Sequence, residues 1–250
     1  MTPPAAGPVA VTDRGTTRII SMQAGHKPNT LSSGVVDELV QATSPEALAT
    51  TRILVLRSQG KAFCGGFDLL EAGDQPSTTR RFLAIQTLLD QVRSAPAASV
   101  ALVDGPAVGA GADLALSCDF RIASARSSFR FPGARFGVVL GTDHLVRTVG
   151  HTAATDILLR NRRVDAMAAL RVGLVSEVRA VEEFSDFVDA LEADLADLPD
   201  DVLRRLLDVL RSDDRAPHLQ RLESSLRHPH LDARLQAFAE RAVRRAGSAR

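Results

Sequence analysis

Apolar positions in this chain fall into short β-branched runs and helical stripes that take turns along roughly the first 180 residues. VAVTDRGTTRIISMQ alternates apolar and polar positions around Asp13-Arg14-Gly15, the pattern of a β-hairpin with its turn. In LSSGVVDELVQA, Leu31, Val35 and Leu39, with Val36 and Val40 beside them, recur at helical spacing. RILVLRS, residues 52 to 58, is a continuous apolar run and predicts a buried strand. TTRRFLAIQTLLDQVRS places Phe82, Ile85, Leu89 and Val92 on one helical face and ends near Pro96. SVALVDG and FRIAS predict two further strands. Strands alternating with helices favour parallel pairing through crossover helices. From about residue 181 only helical patterns remain, in EEFSDFVDALEADLADL, DDVLRRLLDVLRS and LDARLQAFAERAVRRA. The charged, proline-punctuated stretch 211 to 220 is the candidate linker, and no internal repeat is visible.

Composition narrows the function. At 250 residues the chain can bury a large core in one domain, with or without an appendage. Hydrophobic residues make up 45% and charges cancel to a net of zero. With no Trp or Tyr, the chain lacks both the basic field and the stacking platform of a nucleic-acid binder. No apolar run approaches a membrane span. MTPPAAGPVAV has neither the charged nor the apolar region of a signal peptide, so a cytoplasmic protein is expected. Cys64 and Cys118, the two cysteines, are then expected as free thiols. Two cysteines alone make no zinc site, and no metal is expected.

Two glycine-rich segments carry the candidate chemistry. KAFCGGFDLL spans residues 61 to 70 and VDGPAVGAGADLALSCDFRIA spans residues 103 to 123. Each follows a strand-like run and leads into a helix-like one. Such turns expose unpaired backbone N–H groups, and a helix N-terminus adds partial positive charge. Two of them can aim two donors at one developing oxyanion. A dinucleotide fingerprint is not formed, because Leu114 stands where its third glycine belongs. On spacing alone, Asp113 is an acid complementing a helix dipole and Asp68 is a helix cap.

Together with RFPGARFGVVLG and RNRRVDAMAALRVGLVSEV, these segments resemble the crotonase (enoyl-CoA hydratase/isomerase) superfamily over residues 19 to 178. HPHLDARLQAFAERA adds a weaker echo. The resemblance implies an α/β fold, a crotonase-like spiral of ββα units. Residues 1 to 180 would form the CoA-thioester-binding core, and residues 181 to 250 a helical region for oligomerisation. It implies an acyl-CoA substrate, CoA being part of that substrate rather than a separate cofactor, and a homotrimer or dimer of trimers. The oxyanion donors would be the N–H groups of Phe67 and Ala110, the latter where relatives have Gly. Asp113 falls at the family's first catalytic carboxylate, normally Glu. The second carboxylate is missing, because Gly133 stands at its position. Asp143, in the shortened LGTDHL segment, is a candidate second acid or a surface-loop residue. Lys27, with His26, is placed near CoA phosphates, and Gly66, Asp68, Leu69 and Leu70 at the substrate. Arg130 and Arg135, flanking Gly133, are either solvated or partners for an acyl carboxylate. Two other classes stay open: a non-catalytic acyl-CoA binder, and a structural partner in a related enzyme's oligomer.

Overall fold

The hairpin forms from β1 (Val9–Arg14) and β2 (Thr17–Met22), which pair antiparallel with Val9 opposite Met22. Its turn falls at Gly15-Thr16, because Asp13 and Arg14 still belong to β1. A computed structural model describes this and the rest of residues 7–23, 28–211, 223, 226, 227 and 231–247.

The chain then repeats one unit: a strand in the main sheet, a short strand beside it, and a helix crossing back. After β2 come β3 (Thr30–Leu31) and α1 (Ser33–Ala42). Next follow β4 (Ile53–Ser58), β5 (Gly66–Phe67) and α2 (Gln75–Arg93). The third turn is β6 (Ala98–Val103), β7 (Pro106–Val108) and α3 (Ala110–Leu116). The fourth is β8 (Phe120–Ala123), β9 (Ser128–Arg130) and α4 (Thr142–Leu159). β10 (Val164–Asp165), α5 (Ala166–Arg171) and β11 (Glu177–Val178) close the spiral. Among the described residues the main sheet runs β1–β2–β4–β6–β8–β11, parallel from β2 onward. β3 pairs with β5 and β7 with β9, both parallel, and a bridge from Cys64 to Ala107 joins these small strands. This is the α/β spiral of ββα units expected from the sequence.

One helical assignment needs correction. Leu31 shares its spacing with Val35 and Leu39, yet it is a strand residue paired with Phe67. Ser32, in extended conformation, caps the helix through Val35 N–H and so sets its true start. In α2, Asp74 accepts from Ser77 N–H, and the helix ends before Pro96 as the sequence predicts.

One core lies under the crossover helices, where Ile20, Leu54 and Leu56 meet Phe63, Phe82, Ile85 and Leu114. The other face of the sheet offers Ile53, Val55, Val100, Leu102 and Ile122. It is covered by α6 (Phe184–Leu195) through Phe184, Phe187, Val188 and Leu191. α7 (Asp200–Leu210) follows, with Leu203 and Leu207 inward and Val202, Leu206, Val209 and Leu210 exposed. Arg211, just past it, donates to the carbonyls of Ala95 at 2.6 Å and Ala97 at 2.8 Å and pairs with Asp119. Apart from Arg211, the expected linker lies outside the described residues. α8 (Leu231–Gly247) packs on α2 and on the turn Leu69–Glu71, burying Leu231 and Leu235 in the first core.

Candidate active site

β5 and the start of α3 meet through their backbones. Gly66 has φ +78°, and a Cβ there would strike the Val108 carbonyl and lie 3.2 Å from the Ala110 nitrogen. Only glycine permits this approach. It sets the peptide of Phe67 beside the first residue of α3, whose N–H has no acceptor within the helix. Gly109, N-cap of α3, is held by its own N–H to Arg130 O at 2.8 Å.

The Phe67 ring is fixed by α2. Phe82 stacks on it with centroids 4.4 Å apart and planes 5° from parallel. The Arg81 guanidinium carbon lies 4.3 Å from the same centroid. Burial lowers the Arg81 pKa from its usual value. Asp68 faces the protein: its Oδ1 accepts from Leu70 N–H at 3.1 Å and its Oδ2 from Thr30 Oγ1 at 3.1 Å. It is the N-cap of the turn Leu69–Glu71 and does not line the cavity.

Asp113 stands one helical turn after Ala110, with 5% of its surface exposed. Its buried Oδ1 has no hydrogen-bond partner among the described residues. Desolvation pushes its pKa well above the ordinary 3.8. Across from it, Gly141 opens α4 in the left-handed region at φ 61°. Asp113, Phe67 and Ala110 line one cavity, walled by Phe82, Phe131, Phe136, Val138 and Leu158. Among the described lining residues only Asp113 and Thr142 have polar side chains.

Gly133 also lines this cavity, so the place of the second carboxylate is empty of acid. The backbone reinforces this, because a Cβ at Gly133 would lie 2.9 Å from the Val138 carbonyl oxygen. Asp143 sits in the first turn of α4, next to the lining residue Thr142, and does not itself line the cavity. Arg130 donates to Asn161 Oδ1 at 3.2 Å and Arg135 to Leu159 O at 2.9 Å, and neither lines the cavity. Leu69 lines it, whereas Leu70 is 83% exposed. His26 and Lys27 lie outside the described residues.

Cys64 and Cys118 are free and buried, and burial pushes each thiol up to about 12, far from nucleophilic use. Among the described residues no cluster of His, Cys, Asp or Glu could hold a metal ion. No described helix is long and apolar enough to cross a membrane. Sequence reasoning missed Arg81, Thr142 and Gly141. They reach the site from neighbouring helices, and only the adjacency of a cation to an aromatic in RRF hinted at the first.

The family model for enoyl-CoA hydratase/isomerase matches residues 14–241. A Mycobacterium tuberculosis protein named as the enoyl-CoA hydratase echA6 is 30% identical over 211 residues, 82% of this chain and 83% of the relative. A Bordetella parapertussis structure, named as an enoyl-CoA hydratase/isomerase, superposes with a TM-score of 0.90 at 29% identity. That match covers 93% of this chain and 98% of the other. A Thermobifida fusca protein, named as an enoyl-CoA hydratase and solved in complex with acetoacetyl-CoA, gives a TM-score of 0.73 at 28% identity. The shares covered are 87% and 92%.

Proposed function

The chain belongs to the enoyl-CoA hydratase/isomerase family, and from that premise we propose that it binds an acyl-CoA thioester and stabilises its enolate, with Asp113 as the one acid/base. The observation that carries this reading is the placement of buried Asp113 one turn from the Ala110 N–H, in an apolar cavity that Phe67 shares. The thioester oxygen sits between the N–H groups of Phe67 and Ala110. One such donor is worth about 3 kcal/mol of barrier.

A single carboxylate suits a proton shift better than hydration. Hydration asks for one group to activate water and another to deliver the proton. Gly133 removes the second. Asp113 can instead take the C2 proton of a 3-enoyl thioester and return it at C4, moving the double bond into conjugation. The electron pair of the C2–H bond forms the dienolate, whose oxygen the two N–H groups hold. No separate cofactor is required, since CoA arrives with the substrate. The CoA moiety leaves the cavity past Leu69 and exposed Leu70. A cytoplasmic homotrimer or dimer of trimers is the setting we assign.

A second reading is favoured by the same Gly133 and by the short reach of Asp relative to Glu: an acyl-CoA binder without turnover. Calorimetry with acetyl-CoA and turnover of a 3-enoyl-CoA, followed by the absorbance of the conjugated thioester, separate the two. Binding with turnover supports the enzyme, binding alone supports the binder, and no binding across a broad acyl panel sinks both.

A further inference from the structure

We infer that Arg81 is a positioning residue for the oxyanion donor at Phe67: from α2 it clamps the turn that carries this N–H and holds a positive charge behind it. The inference rests on the enolate-stabilising reading and extends it to a side chain that does not line the cavity.

Arg81 touches the donor's surroundings from three directions. Its guanidinium lies 4.3 Å from the Phe67 ring centroid, and the next residue, Phe82, stacks on the same ring. Its two terminal nitrogens reach Asp68 O at 3.4 Å and Leu31 O at 3.3 Å. Leu31 is the strand partner of Phe67, and Asp68 is the residue after it. One planar group therefore spans both strands around the donor, and Phe67 cannot tilt without displacing it.

The energetics argue against a purely structural ion pair. The Arg81 side chain is 11% exposed, its buried Nε has no hydrogen-bond partner among the described residues, and its two carbonyl contacts are long. Glu71, the carboxylate it pairs with at 3.0 Å, is 39% exposed and also accepts from Ser33 N–H and Oγ, and Asp68 adds a second attraction. A largely buried cation held by long hydrogen bonds and a half-exposed carboxylate adds little net stability over an apolar side chain of similar volume. The same charge in a low-dielectric setting gains in value when negative charge develops nearby, as on the thioester oxygen during enolisation.

The test uses acetyl-CoA carrying 13C at the thioester carbonyl, with infrared difference spectra of the bound form. Wild-type protein should lower the carbonyl stretch on binding. R81M should lower it less while binding acetyl-CoA within about threefold of wild type, and R81K should recover most of the shift. With a 3-enoyl-CoA, R81M should lose about tenfold in kcat with KM within about twofold, the signature of lost transition-state stabilisation. R81Q, neutral but able to hydrogen-bond, decides by the same criterion should R81M not fold. A wild-type carbonyl shift in the neutral variant overturns the inference, even if its melting temperature falls. Absence of any shift in wild type instead overturns the enolate reading, and the role of Arg81 falls with it.

Discussion

Gly141 stands directly against the Asp113 carboxylate. A Cβ at position 141 would run into Oδ1 and lie 3.2 Å from the Asp113 Cβ. The glycine that opens α4 thus fixes where the acid on α3 can point. Gly141→Ala also places a side chain at φ 61°. We expect it to cost roughly 1–3 kcal/mol of stability. Turnover of a 3-enoyl-CoA should fall by about 100-fold, since a displaced general base loses its contribution. Denaturant titration and the conjugated-thioester absorbance read the two effects. An alanine variant with wild-type turnover would show that Asp113 is free to move and that the contact is incidental.

Asp113→Asn removes the proposed acid/base and should cost about 100-fold or more in turnover. It also removes a pH dependence of stability. The unfolded chain releases this proton near the ordinary value of 3.8, while the folded chain keeps it to higher pH because the carboxyl is desolvated. Between those points the native state binds more protons, so stability falls as pH rises. Wild type should lose stability relative to Asp113→Asn as pH rises above about 4. Parallel stability curves for the two proteins over that range would refute this assignment.

Hydration of crotonyl-CoA should be poor, below ~10 per second, because the cavity has one carboxylate. Gly133→Glu should not restore it. The new Cβ would lie 2.9 Å from the Val138 carbonyl, so the variant should lose about 1–3 kcal/mol instead. Rapid hydration by wild type would require another acid, with Asp143 examined first.

Both cysteines should be inert in the folded protein. Each is buried and its thiol is pushed up to about 12. A disulfide reagent at pH 8 should titrate them only after denaturation. Fast native reaction of either thiol would place it at the surface.

The outward face of α7 should be an assembly surface. Val209 and Leu210 are 71% and 72% exposed, and Val202 and Leu206 continue the stripe. Light scattering should give the mass of a trimer or dimer of trimers. Leu206→Glu with Val209→Glu should shift it to a smaller species, since charge on an apolar contact is strongly disfavoured. A monomeric wild type would remove this role.

The alternation of main-sheet strands and helices was legible because β4 and β6 are continuous apolar runs; the ββα unit came from the resemblance, since β3, β5, β7 and β9 are too short to show a period. Phe67, Ala110 and Asp113 came from the family resemblance, because spacing alone makes Asp113 a helix-dipole partner; the structure lines one cavity with all three. What escaped depends on distant neighbours. Leu31 matches the helical spacing of Val35 and Leu39, but its pairing with Phe67 draws it into a strand. Gly141 meets Asp113 and Arg81 meets Phe67 through contacts between elements, which periodicity along one helix cannot reveal. Arg130 and Arg135 looked available for a substrate carboxylate, and their partners at Asn161 and Leu159 lie farther along the chain.

The anchoring of Arg211 bears on the order in which the chain can fold. The residue sits 116 positions after Ala95 and 92 after Asp119, yet it joins the carbonyls before β6 to the loop leaving α3. Contacts of such separation close late, after the nearer pairings have reduced the loop to be closed. On a ribosome, the clamp between Arg211 and Asp119 closes only once the arginine has emerged. We predict that Arg211→Met leaves early protection of the strands unchanged in pulsed hydrogen exchange and delays protection of residues 117–121. Simultaneous protection in both proteins would exclude this sequence of events.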